Sequence, residues 1–278
     1  MRRTLKAGFS LFRIRAAEGL QYRMAALSGA TVSTFWAIIE VTILGVFFTY
    51  GNNPGGTING LTLASGVSYI WVGQFLTMLQ IPGVDGDLIG KIVSGDIGIE
   101  LCRPLDLYWH WYARTAAGKV NSFIMRGGMV IVCGVVISLL GFTNTGLGLP
   151  YSPLHFILFL ISIGGAFLFS ASFSMFITTI RIGIAWGDGP LNLIVLTSML
   201  LSGGYFPLQL WPDFMQTFLR FQPFASYLDT PARIYVGSIS IENVLISMVL
   251  QLVWITAFII FGRIIMNHKL KSVVVQGG

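Results

Sequence analysis

SGGYFPLQLWPDFMQTFLRFQPFASYLDTPARIYVG, residues 202–237, is apolar enough to belong in a membrane and too broken to cross one. Gly203, Gly204 and Pro207 end any helix that reaches them, because glycine loosens the backbone and proline removes a donor. Trp211, Phe214, Met215, Phe218 and Leu219 then recur at helical spacing, with Asp213, Gln216, Thr217 and Arg220 largely opposite and Pro212 suited to a first helical turn. Pro223, followed by Phe224, stops that helix; a second begins no later than Thr230-Pro231 and ends near Gly237. At about 1.5 Å per residue neither piece covers a hydrocarbon core of ~30 Å. The pair is expected to dip into the outer leaflet and return, packed on protein so that its broken backbone does not meet lipid.

The surrounding chain fits that setting. Hydrophobic residues make up 54% of it and charged residues 10%, where a soluble domain carries about a quarter charged. Mean hydropathy is +0.77. Long uncharged runs predict an all-α polytopic membrane protein with six spans: Ala25–Tyr50, Leu61–Ile81, Val120–Phe142, Leu154–Ile180, a fifth ending near Leu201, and Val244–Met266. Ahead of them, Leu5, Phe9, Phe12, Ala16 and Leu20 share one helical face among Arg2, Arg3, Lys6, Arg13 and Arg15, which predicts an amphipathic helix over residues 1–24 in the headgroup layer. A soluble partner helix docked on that face is the other reading. The spread of basic residues there leaves no cleavable signal peptide in view.

Of the 17 lysines and arginines, all but Arg220 and Arg233 fall on one side of this arrangement, so the positive-inside rule puts both termini in the cytoplasm. The net charge of +6 is thereby accounted for without nucleic acid. The same side receives QIPGVDGDLIGKIVSGDIGIELCRPLD, Gln80–Asp106, where acids and bases crowd after the second span. Asp85 to about Gly95 reads as a short helix, and Arg103-Pro104 as the elbow by which the chain returns, since proline disfavours helix at the residue before it.

Residues able to do covalent chemistry are scarce. Gly86-Asp-Leu-Ile-Gly90-Lys91-Ile92 only approximates a phosphate loop: it is one residue short between its glycines and lacks the Ser or Thr that holds magnesium. His110, His155 and His268 are scattered, and Cys102 and Cys133 are too few for a disulfide framework or a four-ligand metal site. No catalytic, cofactor or metal residue is expected in this chain. Glu40 stands out as the one charge inside the first span; an ionisable group near a helix centre costs about 2.5–3.5 kcal/mol on insertion scales. It either lines a translocation path or a subunit interface, or makes a hydrogen bond to another helix.

Taken together, the six spans, the amphipathic start, the charged loop and the hairpin resemble the ABC-2 permeases, the membrane subunits of type V ABC exporters. Gly203-Gly-Tyr-Phe-Pro207, Leu210-Trp-Pro212, Gln222-Pro-Phe224 and Pro231 to Gly237 look like that family's signature region, and Leu101–Asp106 resembles its bacterial branch with a separately encoded ATPase. The resemblance implies a single permease domain over residues 1–278, with a coupling loop at 82–106 and an extracytoplasmic re-entrant segment at 202–243. It implies residence in the bacterial inner membrane, a second permease as homodimer or heterodimer partner, and ABC ATPase subunits that carry ATP and magnesium. Those subunits would dock on Asp85, Asp87, Leu88, Lys91, Ile92 and Asp96, with Val93 as a further apolar contact; the other reading of this loop is a solvated one whose charges only set topology. Glu40 would lie on the path or the interface, and Gly203, Gly204, Pro207, Pro212, Phe214, Pro223, Phe224 and Pro231 would shape the hairpin. A stand-alone channel or ion-coupled carrier is the alternative; it calls for several intramembrane charges where this chain has Glu40.

Overall fold

The computed structural model describes residues 23–50, 56–79, 86–94, 98, 106–142, 145–182 and 188–271. Among these, helices make up the fold and no strand is formed. The amphipathic helix expected before residue 23 lies outside the described residues, as do Asp85, Asp96 and the Arg103-Pro104 elbow.

In chain order the helices are α1 (Arg23–Tyr50), α2 (Leu63–Thr77), α3 (Gly86–Ser94), α4 (Leu107–Ser122), α5 (Gly128–Leu139), α6 (Pro153–Arg181), α7 (Asp188–Ser202), α8 (Asp213–Phe221), α9 (Asp229–Val236) and α10 (Ile241–Leu270). A π-helical turn, Phe123–Gly127, joins α4 to α5, so Leu107–Leu139 is one helical run of 33 residues. Four segments are long and apolar enough to cross a membrane: Leu27–Tyr50, Leu107–Leu139, Pro153–Arg181 and Ile241–Leu270.

The six expected spans therefore divide into four long helices and two short ones. α2 and α7 have 15 residues each, about 22 Å of helix, less than a bilayer core. For α2 the reason is visible in its surroundings: Gly66 to Gln74 are all buried, so protein and not lipid encloses it. Its start is closed by a capping box between Thr62 and Ser65, and the turn that follows its last residue ends at Leu79, whose carbonyl is bonded inside the protein. A helix finished in this way does not need to reach the membrane surface. Hydropathy alone cannot register that difference, because a residue facing lipid and one facing another helix are equally apolar.

α6 is the central post. It packs chiefly on α10, and also on α9, α4 and α3. The α6–α10 seam combines polar and aromatic contacts. Gln251 donates to Ser162 Oγ at 3.0 Å, in space left free because Gly165 has no side chain, and Phe258 meets Phe169 and Phe173 with ring centroids 5.7 and 5.0 Å apart. The same two phenylalanines carry the hairpin: Tyr227 stacks on Phe169 and Phe224 meets Phe173 edge-on.

Candidate functional site

Three places hold the residues singled out by sequence. At one end of the bundle is α3, GDLIGKIVS. Asp87 in its first turn and Lys91 in its last suit the helix dipole and stand four residues apart. Leu88 is 1% exposed and is packed with Leu107, Tyr108, Trp111, Met175, Ile182 and Met266. This side chain, expected to meet an ATPase, is instead buried in its own protein, and enclosing a leucine contributes roughly 1.5–3 kcal/mol. Asp87 pairs with Arg114 of α4. Gly90 faces outward with nothing within 4 Å of where a Cβ would stand. α3 is thus a ridge anchored along one side; Ile92 takes part in the helix.

Around it, basic side chains hold helix ends. Arg263 of α10 donates to Asp106 at 3.0 Å, while Asp106 caps α4 by accepting from the Trp109 amide. Lys269 donates to the carbonyls of Ile180 and Ile182 where α6 ends. Lys119, buried, donates to the carbonyl of Leu79 at 2.8 Å, and Ser170 donates to the same oxygen at 2.8 Å. The lone carbonyls of helix ends need such partners.

Within the bundle, Glu40 accepts a hydrogen bond of 3.0 Å from Gln74, joining α1 to α2. On one side of α1, an apolar groove of about 710 Å³ is lined by Leu27, Phe35, Ile124, Met129 and Val132 among others.

At the far end lies the hairpin, and here four glutamines take a role that the sequence reading gave to none of them. Gln209 donates to Ser238, Gln216 to the carbonyls of Leu208 and Trp211, Gln222 to those of Leu201 and Leu219, and Gln251 to that of Ser226. Gln222 also accepts from the Phe224 amide. Gln216, Gln222 and Gln251 satisfy the backbone that the glycines and prolines break, while Gln209 ties the Ser238 side chain to the hairpin. The signal was present as long amide side chains, unusual in so apolar a context.

The expected hairpin residues take the roles their chemistry permits. Gly203 has φ +85°, and a Cβ there would stand 2.3 Å from the Tyr69 hydroxyl; Gly204 passes close to Met199. Pro207 precedes the 3-10 turn Leu208–Leu210, Pro212 stands immediately before α8, Pro223 opens the turn Pro223–Ser226, and Pro231 falls in the first turn of α9. Each occupies a position that needs no helical N–H. Phe214 is 83% exposed, on the outer face of α8 with Phe218. Gly237 ends α9 in the left-handed region at φ +67°.

Asp229 is the buried charge of this region. Tyr69 donates to it at 2.8 Å and Arg233 lies 3.8 Å away. Burial raises its carboxyl above the ordinary range, while Arg233 and the Tyr69 hydroxyl pull it down.

Among the described residues no group of three or more His, Cys, Asp or Glu could hold a metal ion. No curated protein and no solved structure matches the chain. Residues 31–277 match the family described as ABC-2 family transporter protein, whose members are membrane subunits of ABC transporters and generally work with ABC ATPases. Helices of spanning length, a hairpin closed on itself and a match over nearly the whole sequence lead to one conclusion: the chain belongs to the ABC-2 family of transporter proteins.

Proposed function

We propose that this permease is one half of an exporter and is driven by a separate ATPase that docks on α3 from the cytoplasm. The observation that supports this reading best is the build of α3. It is a short helix outside the bundle, held by Leu88 and by the Asp87–Arg114 pair, with Gly90 turned outward. A force-receiving element has to be stiff where it joins the body and open where it meets its partner, because ATP binding moves the permease only through contacts that differ between states. The crowding of basic residues on that side supports a cytoplasmic location, and the bacterial inner membrane follows from the family resemblance. A second permease completes the pathway, since a two-fold arrangement is the common way for one such subunit to enclose a conduit.

In this proposal Asp87 and Lys91 frame the docking face, and Asp85 and Asp96, which precede and follow α3 in the sequence, add to its charge. The Gln74 hydrogen bond supports the reading of Glu40 as a polar stitch between helices.

The test uses Gly90, because a larger side chain there disturbs nothing in the permease. Gly90→Trp is expected to abolish co-purification of the co-expressed ABC ATPase while leaving the permease's elution profile and melting temperature unchanged. Gly118→Trp on α4, also at an open position, is the control. ATPase recovery equal to wild type with Gly90→Trp would remove α3 as the docking site.

A further inference from the structure

One stripe of α4 grips the chain on both sides of the connection between α2 and α3. Tyr108, Trp111, Thr115 and Lys119 follow at steps of three and four residues and so share a face. Tyr108 and Trp111 pack with Leu88, just inside α3. Lys119 bonds Leu79, at the end of the turn after α2. Arg114, between them in sequence, pairs with Asp87. Both ends of the Leu79–Asp87 connection are therefore fastened to a single stretch of helix.

The choice of a lysine here is costly. Lys119 is 6% exposed, and the effective penalty for enclosing an ammonium is several kcal/mol unless its protons are bonded. A methionine would fill similar space and leave Ser170 to serve the Leu79 carbonyl. What the lysine adds is a charge-assisted bond, roughly twice as strong as a neutral one.

Directly beyond this grip the helix changes its winding. The turn Phe123–Gly127 is π-helical, a deviation that is frequent at functional sites. It is closely backed: a Cβ on Gly127 would stand 2.7 Å from the Phe75 ring, and Arg126 lies across Gly29 of α1. Below the turn is the stretch that holds α3; above it is α5.

We propose that Lys119 is a positioning residue that locks the end of α2 onto α4, so that this end, α4 and the α3 ridge that α4 holds through Leu88 and Asp87 move as one lever, which turns about the Phe123–Gly127 joint when the ATPase pushes on α3. The movement clause rests on the docking proposed above; the lock itself does not. Force entering at α3 then reaches α5 first, through the joint, and α2 is drawn along by its fastened end.

The experiment measures distances between paired spin labels in the full chain in nanodiscs, with Cys102 and Cys133 replaced by serine. Met78, half-buried in the turn after α2, and Gly118, at an open position on α4, report on the lock; Gly118 and Val136, which is exposed on α5, report across the joint. In the permease alone, the Met78–Gly118 pair should give one narrow distribution. Its width should at least double in Lys119→Met, and Lys119→Arg should restore it. Ser170→Ala, which removes the other donor to Leu79, should broaden it less and serves as the second variant if Lys119→Met does not fold. Unchanged width in both Lys119→Met and Ser170→Ala would overturn the lock. With the ATPase bound and trapped by ATP and vanadate, the Gly118–Val136 distance should shift while Met78–Gly118 stays fixed. The reverse pattern would overturn the lever. A nucleotide effect on neither pair would overturn docking and the push it supplies, while the permease-alone arm still decides the lock.

Discussion

At the scale of single residues, Gly203 is a position where glycine is required. Its backbone is left-handed at φ +85°, which costs an L-residue roughly 1–2 kcal/mol, and a methyl group would collide with the Tyr69 hydroxyl that serves Asp229. Gly203→Ala is expected to lower stability by about 2–4 kcal/mol, the sum of strain and of a loosened buried hydrogen bond. The melting temperature of the detergent-purified protein checks this. Glu40 makes a subtler case. Glu40→Gln keeps an oxygen to accept from Gln74, so stability and transport should both be preserved, whereas Glu40→Leu leaves that amide unpaired and should cost roughly 1–3 kcal/mol. Melting curves for the two variants, read beside transport by the complex, separate a stitch from a path residue: loss of transport in a fully stable Glu40→Gln would favour the path.

At the scale of elements, the hairpin shows how much could be read in advance. Its breaks were legible because glycine and proline act on their own backbone: Gly203, Pro207, Pro212, Pro223 and Gly237 all stand where helices stop or start. What closes the breaks was not legible, because Gln222 meets Leu201 and Gln251 meets Ser226 across 21 and 25 residues of chain. Sequence spacing carries no record of such contacts. The same limit explains α3. Periodicity showed its amphipathic character, but which side faces the body depends on Trp111, Met175 and Met266 arriving from three different helices. Gln222→Leu tests the closure. It takes the Gln222 partner from the Leu201 and Leu219 carbonyls and from the Phe224 amide, and a loss of about 2–4 kcal/mol is expected. Limited proteolysis should then cut between α7 and α8 before it cuts elsewhere.

At the scale of the whole molecule, apolar composition predicted six spans; among the described residues four helices are of spanning length, and two short ones, α2 and α7, stand where the second and fifth spans were expected. The shortfall comes from α2, enclosed by its neighbours, and from α7, which starts at Asp188-Gly189-Pro190 and is cut off by Gly203. Large apolar side chains remain outward on α1, α7 and α10, among them Phe35, Leu193 and Leu252. Lipid covers surfaces of this kind, and in the proposed two-fold arrangement a second permease would cover part of them.

The bond from Gln251 to Ser226 bears on how the protein is made. α10 is the last of the described helices to leave the ribosome, and until it is inserted the 3-10 turn Pro223–Ser226 lacks the partner for its final carbonyl. The hairpin is therefore expected to close fully only once α10 is in place. A chain ended after Ser240 should insert its earlier helices yet remain protease-sensitive between residues 202 and 240, and co-expressing Ile241–Gly278 as a separate piece should restore protection in part. Protection of the truncated chain equal to that of the full one would show that the hairpin closes without its last clasp.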